Sequence, residues 1–145
     1  MSFSDALEGE ILDWVFNIGT PSAVTQGTHL AVFTASPEND ADTTTNGFAE
    51  TDFNRVDCQT AGNGGGDLFT RTNDQVWNNE TVTFTNDSGS QQTITHIALV
   101  NGGTGAAGIV AHAALQTSRD VPDQADLEFA GDNSQGGAAI TFTLD

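Results

Sequence analysis

The chain has 145 residues; 20 are Asp or Glu and three are basic, for a formal charge of −17. The bases are Arg55, Arg71 and Arg119, and lysine is absent. This balance argues against nucleic-acid binding, which needs Lys or Arg clusters at the phosphates, and against an anionic membrane surface. A surface this acidic repels itself in dilute buffer and is eased by salt, which points to a halophilic source. The length suits a single domain, 1–145, with a sizeable core. No apolar run is long enough to span a bilayer as a helix, and the acidic N-terminal segment lacks the basic region of a signal peptide.

In chain order, the first predicted element is an amphipathic helix over Ser4 to Ile18. Leu7, Ile11, Trp14, Val15 and Ile18 recur at helical spacing. Ser4 or Asp5 caps its start, Asp5, Glu8 and Glu10 complement the dipole, and Gly19 and Pro21 stop it. Gly9 weakens it, so packing against the sheets is the expected support, with docking on a partner as the alternative.

Short strand-like segments follow. Leu30 to Ala35 ends at Ser36-Pro37, and the acidic, threonine-rich stretch Glu38 to Asn46 reads as an exposed loop. Phe48 to Cys58 precedes the turn Gly62-Asn63-Gly64-Gly65-Gly66. Asp67 to Trp77, Glu80 to Thr85, Ala125 to Ala130 and Ala138 to Leu144 are the remaining peripheral strands. In the last, Ile140, Phe142 and Leu144 alternate with Thr141, Thr143 and Asp145, the pattern of a half-buried strand with no targeting tail behind it.

The centre of the chain is a predicted antiparallel hairpin, Ile94 to Val100 against Ile109 to Leu115. Closed around Thr104, it puts His96 opposite His112 and Leu99 opposite Ile109. Many short strands with a single helix predict an all-β domain, a jelly-roll-like β-sandwich with one N-terminal amphipathic helix.

Several motifs could carry chemistry. Gly103-Thr104-Gly105-Ala106-Ala107-Gly108 matches a dinucleotide fingerprint, but the βαβ context it needs is missing, so a hairpin loop is expected. His96 and His112, as cross-strand neighbours, could share a zinc or copper ion if His29 or a carboxylate supplied a third ligand; ordinary strand histidines are the plainer reading. Asp40/Asp42 and Asp123/Asp126 offer oxygen ligands for calcium but lack EF-hand spacing and read as solvated charge. Asn79-Glu80-Thr81 and Asn86-Asp87-Ser88 are glycosylation patterns near turns. Trp14 and Trp77 could stack on sugars, although burial is the commoner fate of tryptophan. Cys58, the single cysteine, reads as a buried thiol. No nucleophile elbow or zinc-protease helix is present.

Taken together, the segments resemble the short virion proteins of tailed viruses, of the tail-fibre-like or head-decoration kind. The resemblance rests on Trp14-Val15-Phe16, Leu30 to Pro37, Gly47-Phe48-Ala49, Val82-Thr83-Phe84 and Ile94 to Leu99. It continues through Ile109 to Leu115, Arg119-Asp120-Val121, Asp126-Leu127-Glu128-Phe129 and Ala139-Ile140-Thr141. The chain departs from the family pattern at Glu38 to Asn46 and Gly62 to Asp67, and it is far more acidic. The resemblance implies a non-enzymatic virion part with no catalytic residue, cofactor or metal. The expected partners are copies of itself and major capsid or tail proteins, with no nucleic acid and no membrane. Decoration of the capsid of a halophilic tailed virus as a homo-oligomer is the leading expectation. Tail-fibre or baseplate attachment, and a carbohydrate-binding module for a host glycan using Trp77, are the alternatives.

Overall fold

A computed structural model describes residues 2–3, 5–16, 27–37, 53–58, 68–72, 75–104, 107–131 and 139–143. The fold is all-β, built from antiparallel sheets. After a two-residue strand, β1 (Ser2–Phe3), comes the helix α1 (Asp5–Phe16), close to the predicted span. The strands β2 (His29–Phe33), β3 (Val56–Asp57), β4 (Phe69–Thr72) and β5 (Gln75–Asn78) follow. Then come β6 (Val82–Thr85), β7 (Gln92–Val100), β8 (Ile109–Val121), β9 (Asp126–Phe129) and β10 (Thr141–Thr143).

The largest sheet has the order β1-β8-β7-β2-β3; β10-β5-β4 and β6-β9 form two smaller ones. Strand β2 reads His-Leu-Ala-Val-Phe, apolar at nearly every position, because both faces of the large sheet are covered. On one face, Leu30, Val32, Ile94 and Ile97 pack with Val82, Phe84 and Leu127 of the β6-β9 pair, and Ile140 completes this main core. On the other face a smaller cluster joins Ala31, Phe33, Ala98 and Val100 to Ala107 and Ile109. Phe84 is fully buried and meets Phe129 edge-on, ring centroids 6.0 Å apart at 88°.

Two buried asparagines lock the junctions between sheets. Asn78, at the end of β5, donates from Nδ2 to the carbonyls of Glu80, Phe129 and Ala130, at 2.9, 3.3 and 3.0 Å. Its Oδ1 accepts from the Ile140 amide at 2.9 Å. Asn86, just past β6, donates to Ser90, Val121 and Pro122 carbonyls at 2.8, 2.8 and 3.1 Å and accepts from the Ser88 amide at 3.0 Å. Each amide thereby satisfies backbone groups where strands end and turns begin. Beside the first junction, Gly131 lies so close to the Glu80 backbone that a Cβ would overlap it.

Three expectations need correction. The predicted strand Asp67 to Trp77 is a hairpin: β4 pairs β5, with Thr72 opposite Gln75, so only Asn73 and Asp74 separate the strands. Those two turn-forming residues carried the signal that the apolar pattern obscured. The central hairpin is present, but its register differs. His112 pairs with Ala98 and His96 with Ala114, while Leu99 pairs with Ala111 and Val100 with Ile109. The offset is two residues: one arises in the connection, since Val100 meets Ile109 and not Gly108, and the other at the register shift between Leu99 and Val100. Finally, of the apolar stripe predicted on α1, Val15 is 58% and Ile11 36% exposed, and Leu12 and Phe16 beside them are 54 and 68% exposed; the side chains of Leu7 and Trp14, and Ile18, lie outside the described residues. The predicted loops Glu38 to Asn46 and Gly62 to Gly66, and the helix stop at Gly19 and Pro21, lie outside the described residues.

Candidate functional site

The most distinctive surface lies where β8 and β9 part. They are joined by a short turn, Pro122 to Ala125, in which Gln124 adopts φ 60° and its amide donates to Asn86 O at 2.7 Å. A connection this short usually makes a hairpin. Here it does not: β8 pairs with β7 and β9 pairs with β6. The Asn86 amide, holding the Val121 and Pro122 carbonyls, fixes the turn at the point where the strands diverge.

Between the diverging strands is an open cleft of about 470 Å³. Ala113, Leu115, Thr117 and Arg119 line it from β8, facing Glu128 and Phe129 from β9. Ile140 and Thr141 also line it. The outer edge of β8 is covered only where β1 pairs with Ala111 and His112, so from 113 onward no described strand pairs with it. Opposite the single residue Thr95, β8 carries four, 115 to 118, a wide bulge flanked by exposed Arg119 and Asp120. Bulges and charges are how an open edge avoids uncontrolled strand pairing. The lining contains no Cys or His, and its charged groups are Arg119 and Glu128. Such a surface, with apolar and polar side chains together, suits binding.

The histidines do not assemble as a metal site. His29 pairs with Val100, and His96 pairs with Phe33, four residues along each strand. That separates them by roughly 13 Å at about 3.3 Å per residue. His96 and His112 are diagonal neighbours, and each has its pKa lowered, chiefly by burial; for His96 the charge of His112 adds to it. His96 Nδ1 is 2.8 Å from Thr95 Oγ1 and His29 Nδ1 is 2.9 Å from Thr28 Oγ1. Among the described residues no group of three potential metal ligands comes together.

The other candidates resolve individually. The glycine-rich run leads into β8, an antiparallel strand and not a helix, so it has no βαβ context. Asp123 accepts from the Gly89 amide at 2.8 Å and Asp126 from Thr85 Oγ1 at 2.6 Å; these carboxylates hold turns and strands. Asp40 and Asp42 lie outside the described residues. Asn86 cannot carry a glycan in the folded chain, because its amide is buried and fully bonded. The Asn79 Oδ1 is likewise buried. Trp77 is 5% exposed and offers no stacking surface; the Trp14 side chain is outside the description.

Cys58 is a partly buried thiol against the main core, less enclosed than the buried thiol expected. Its thiol pKa is pushed up from 9.0 to about 12, first by burial and then by the Asp57 carboxylate. The native thiolate fraction at pH 8 is therefore about a thousandfold below that of an unfolded chain. A thiol reagent such as DTNB should label native protein far more slowly than urea-unfolded protein at the same pH. Rapid labelling of the native chain would show that Cys58 is open to solvent.

The model of the podophage GP4 fiber I protein gp80 family matches residues 2–136. The chain belongs to this family. No curated protein matches it. The matched span includes every described element from β1 to β9 and the whole cleft wall formed by β8 and β9. Membership in the gp80 family makes the chain a fibre-type structural protein of a tailed phage, located in the virion.

What sequence reading missed was the cleft and the two asparagines. Arg119, Glu128 and Phe129 carry no motif, and the short Pro122 to Ala125 connection suggests a closed hairpin. Asn78 and Asn86 sit at strand ends, the one available signal, but a chain rich in Asn hides them.

Proposed function

We propose that this chain is a non-enzymatic structural component of a tailed-virus fibre, assembling in several copies and working at high salt. The carrying observation is the family match over residues 2–136, which names a fibre protein. That description favours the fibre over capsid decoration, the placement first read from the sequence. The charge of −17 supports a salt-rich setting, where screening relieves repulsion between neighbouring copies. Repeated copies suit such a part because one interface is reused by symmetry. Its contacts within the particle are copies of itself and tail proteins.

Immunogold labelling of purified particles with antibody to this chain tests the placement. Gold on fibres at the tail is the expected result. Gold spread evenly over the head would move the protein to capsid decoration, and particles without the chain would remove it from the virion altogether.

A second reading, recognition of a host glycan, now rests on the β8–β9 cleft and not on Trp77. Half-buried Phe129 with Thr117, Arg119 and Glu128 around it gives an apolar floor and a hydrogen-bonding rim of the kind sugars use.

A further inference from the structure

The end of the β7–β8 hairpin carries an Asn-Gly pair, Asn101-Gly102, whose side chain takes part in the strand ladder. Asn101 is exposed and Gly102 half-buried. The Asn101 amide donates to the Gly108 carbonyl at 3.2 Å, one step beyond the pairing of Val100 with Ile109. The return bond comes from the Gly108 amide and goes to Asn101 Oδ1, at 2.8 Å. A Cβ at Gly108 would lie 3.3 Å from Asn101 Nδ2, so the carboxamide rests against bare Gly108 backbone. On the other side of the pair, the Gly102 carbonyl accepts from Arg55 Nη1, just before β3.

An Asn-Gly pair is where a backbone attacks its own side chain most readily, because glycine has no Cβ to obstruct the approach. The Gly102 nitrogen has no hydrogen bond to another described residue, so it is free to act as the nucleophile. It gives its proton to hydroxide and bonds to the side-chain carbonyl carbon of Asn101. The carboxamide nitrogen takes a proton from water and leaves as ammonia, closing a succinimide ring. Water then opens the ring at one of its two carbonyls. One opening gives aspartate; the other gives isoaspartate, in which the chain runs through the former side chain. No oxidant or cofactor is consumed.

We propose that Asn101 is a self-modification site that stays closed while the hairpin end is paired and reacts when that end opens. The gate is the Gly108 amide. It holds Asn101 Oδ1 across the hairpin, towards β8, whereas attack requires the carboxamide to turn along its own chain towards Gly102. The bond to Gly108 must break first, and the ends of strands are where local opening takes least free energy. The product cannot close again as before. Isoaspartate places an extra methylene in the backbone between the bond to Gly108 and the bond from Arg55 to Gly102. Either product also adds a negative charge to a chain already at −17. Asn101 thus keeps a one-way record of opening at this end of the large sheet.

The test follows Asn101 by peptide mapping and mass spectrometry in the full-length protein, native and urea-unfolded, at one mildly alkaline pH and temperature. Native conversion is expected to be more than about tenfold slower than conversion of the unfolded chain. Gly108→Ala crowds the carboxamide and should speed native conversion several-fold with an unchanged circular dichroism spectrum. Asn101→Gln keeps an amide but needs a larger ring, so conversion at this position should cease. Deuterium exchange at the Gly108 amide reads the same opening in the unsubstituted protein. Conditions that raise this exchange should raise conversion with it. Equal rates in native and unfolded chains, or conversion that ignores Gly108 exchange, overturns the gate. Faster conversion in the native chain also overturns it, by showing that the Gly108 amide activates the carbonyl instead of restraining it. An unfolded chain that keeps Asn101 intact removes the site itself.

Discussion

Asn86→Ala is expected to destabilise the protein by roughly 3–5 kcal/mol, and Asn78→Ala by a similar amount. Each substitution removes a side chain whose two N–H groups are shared among three backbone carbonyls and whose oxygen accepts one backbone amide. The effect comes less from the bonds lost than from the groups abandoned. The carbonyls of Val121 and Pro122, or of Phe129 and Ala130, would remain where they are without their amide donor. Leaving each buried group unpaired costs about 1–3 kcal/mol, reduced where water can enter the space left behind. Asn86→Asp is the informative companion. It preserves size but replaces the donor with a carboxylate facing three carbonyls, so it should be no milder than alanine at neutral pH. Urea unfolding at fixed high salt gives the comparison. A loss below about 1 kcal/mol for Asn86→Ala would mean that the turn between β8 and β9 is held by something other than this amide.

Phe84→Ala should cost about 3–5 kcal/mol, through lost apolar burial and the cavity left behind. Phe84 is fully buried between the β6-β9 pair and the large sheet, and its edge-on contact with Phe129 disappears with it. Phe16→Ala is the contrasting experiment. The same chemical change at a side chain 68% exposed should alter the stability of a single chain by no more than about 0.5 kcal/mol. Measured under conditions where the protein is monomeric, the pair separates the core aromatic from the surface aromatic. Equal losses at both positions would show that α1 packs on the sheets after all.

The contrast between Phe84 and Phe16 also marks how far local sequence pattern reaches. Helix α1 was legible because its period is local: apolar residues three and four apart, capping at Asp5 and acids in the first turn are all within a few residues of one another. Which side chains of that helix would be covered was not legible, because cover comes from other parts of the chain. The paired apolar runs Ile94 to Val100 and Ile109 to Leu115 announced the central hairpin and the all-β class for the same local reason. Its register did not follow, since the bulge at Leu99/Val100 depends on how β7 must also fit β2.

Function was legible to a similar depth. The order of strands and turns pointed to a virion part, read first as capsid decoration with a tail fibre as the alternative, and the family match supports a fibre-type structural protein of a tailed phage. The histidines illustrate the limit. Sequence distance alone allowed His29, His96 and His112 to meet, whereas pairing placed His29 opposite Val100 and left it far along the sheet from His96. Composition and periodicity therefore determined the all-β class, the helix and the strands of the hairpin, because each depends on neighbours in the chain. Tertiary structure decided the register, the diverging strands that open the cleft, the burial of Asn78 and Asn86, and the bare face of α1. Each of those is set by long-range partners competing for the same backbone groups and apolar surface, and no single segment contains that information.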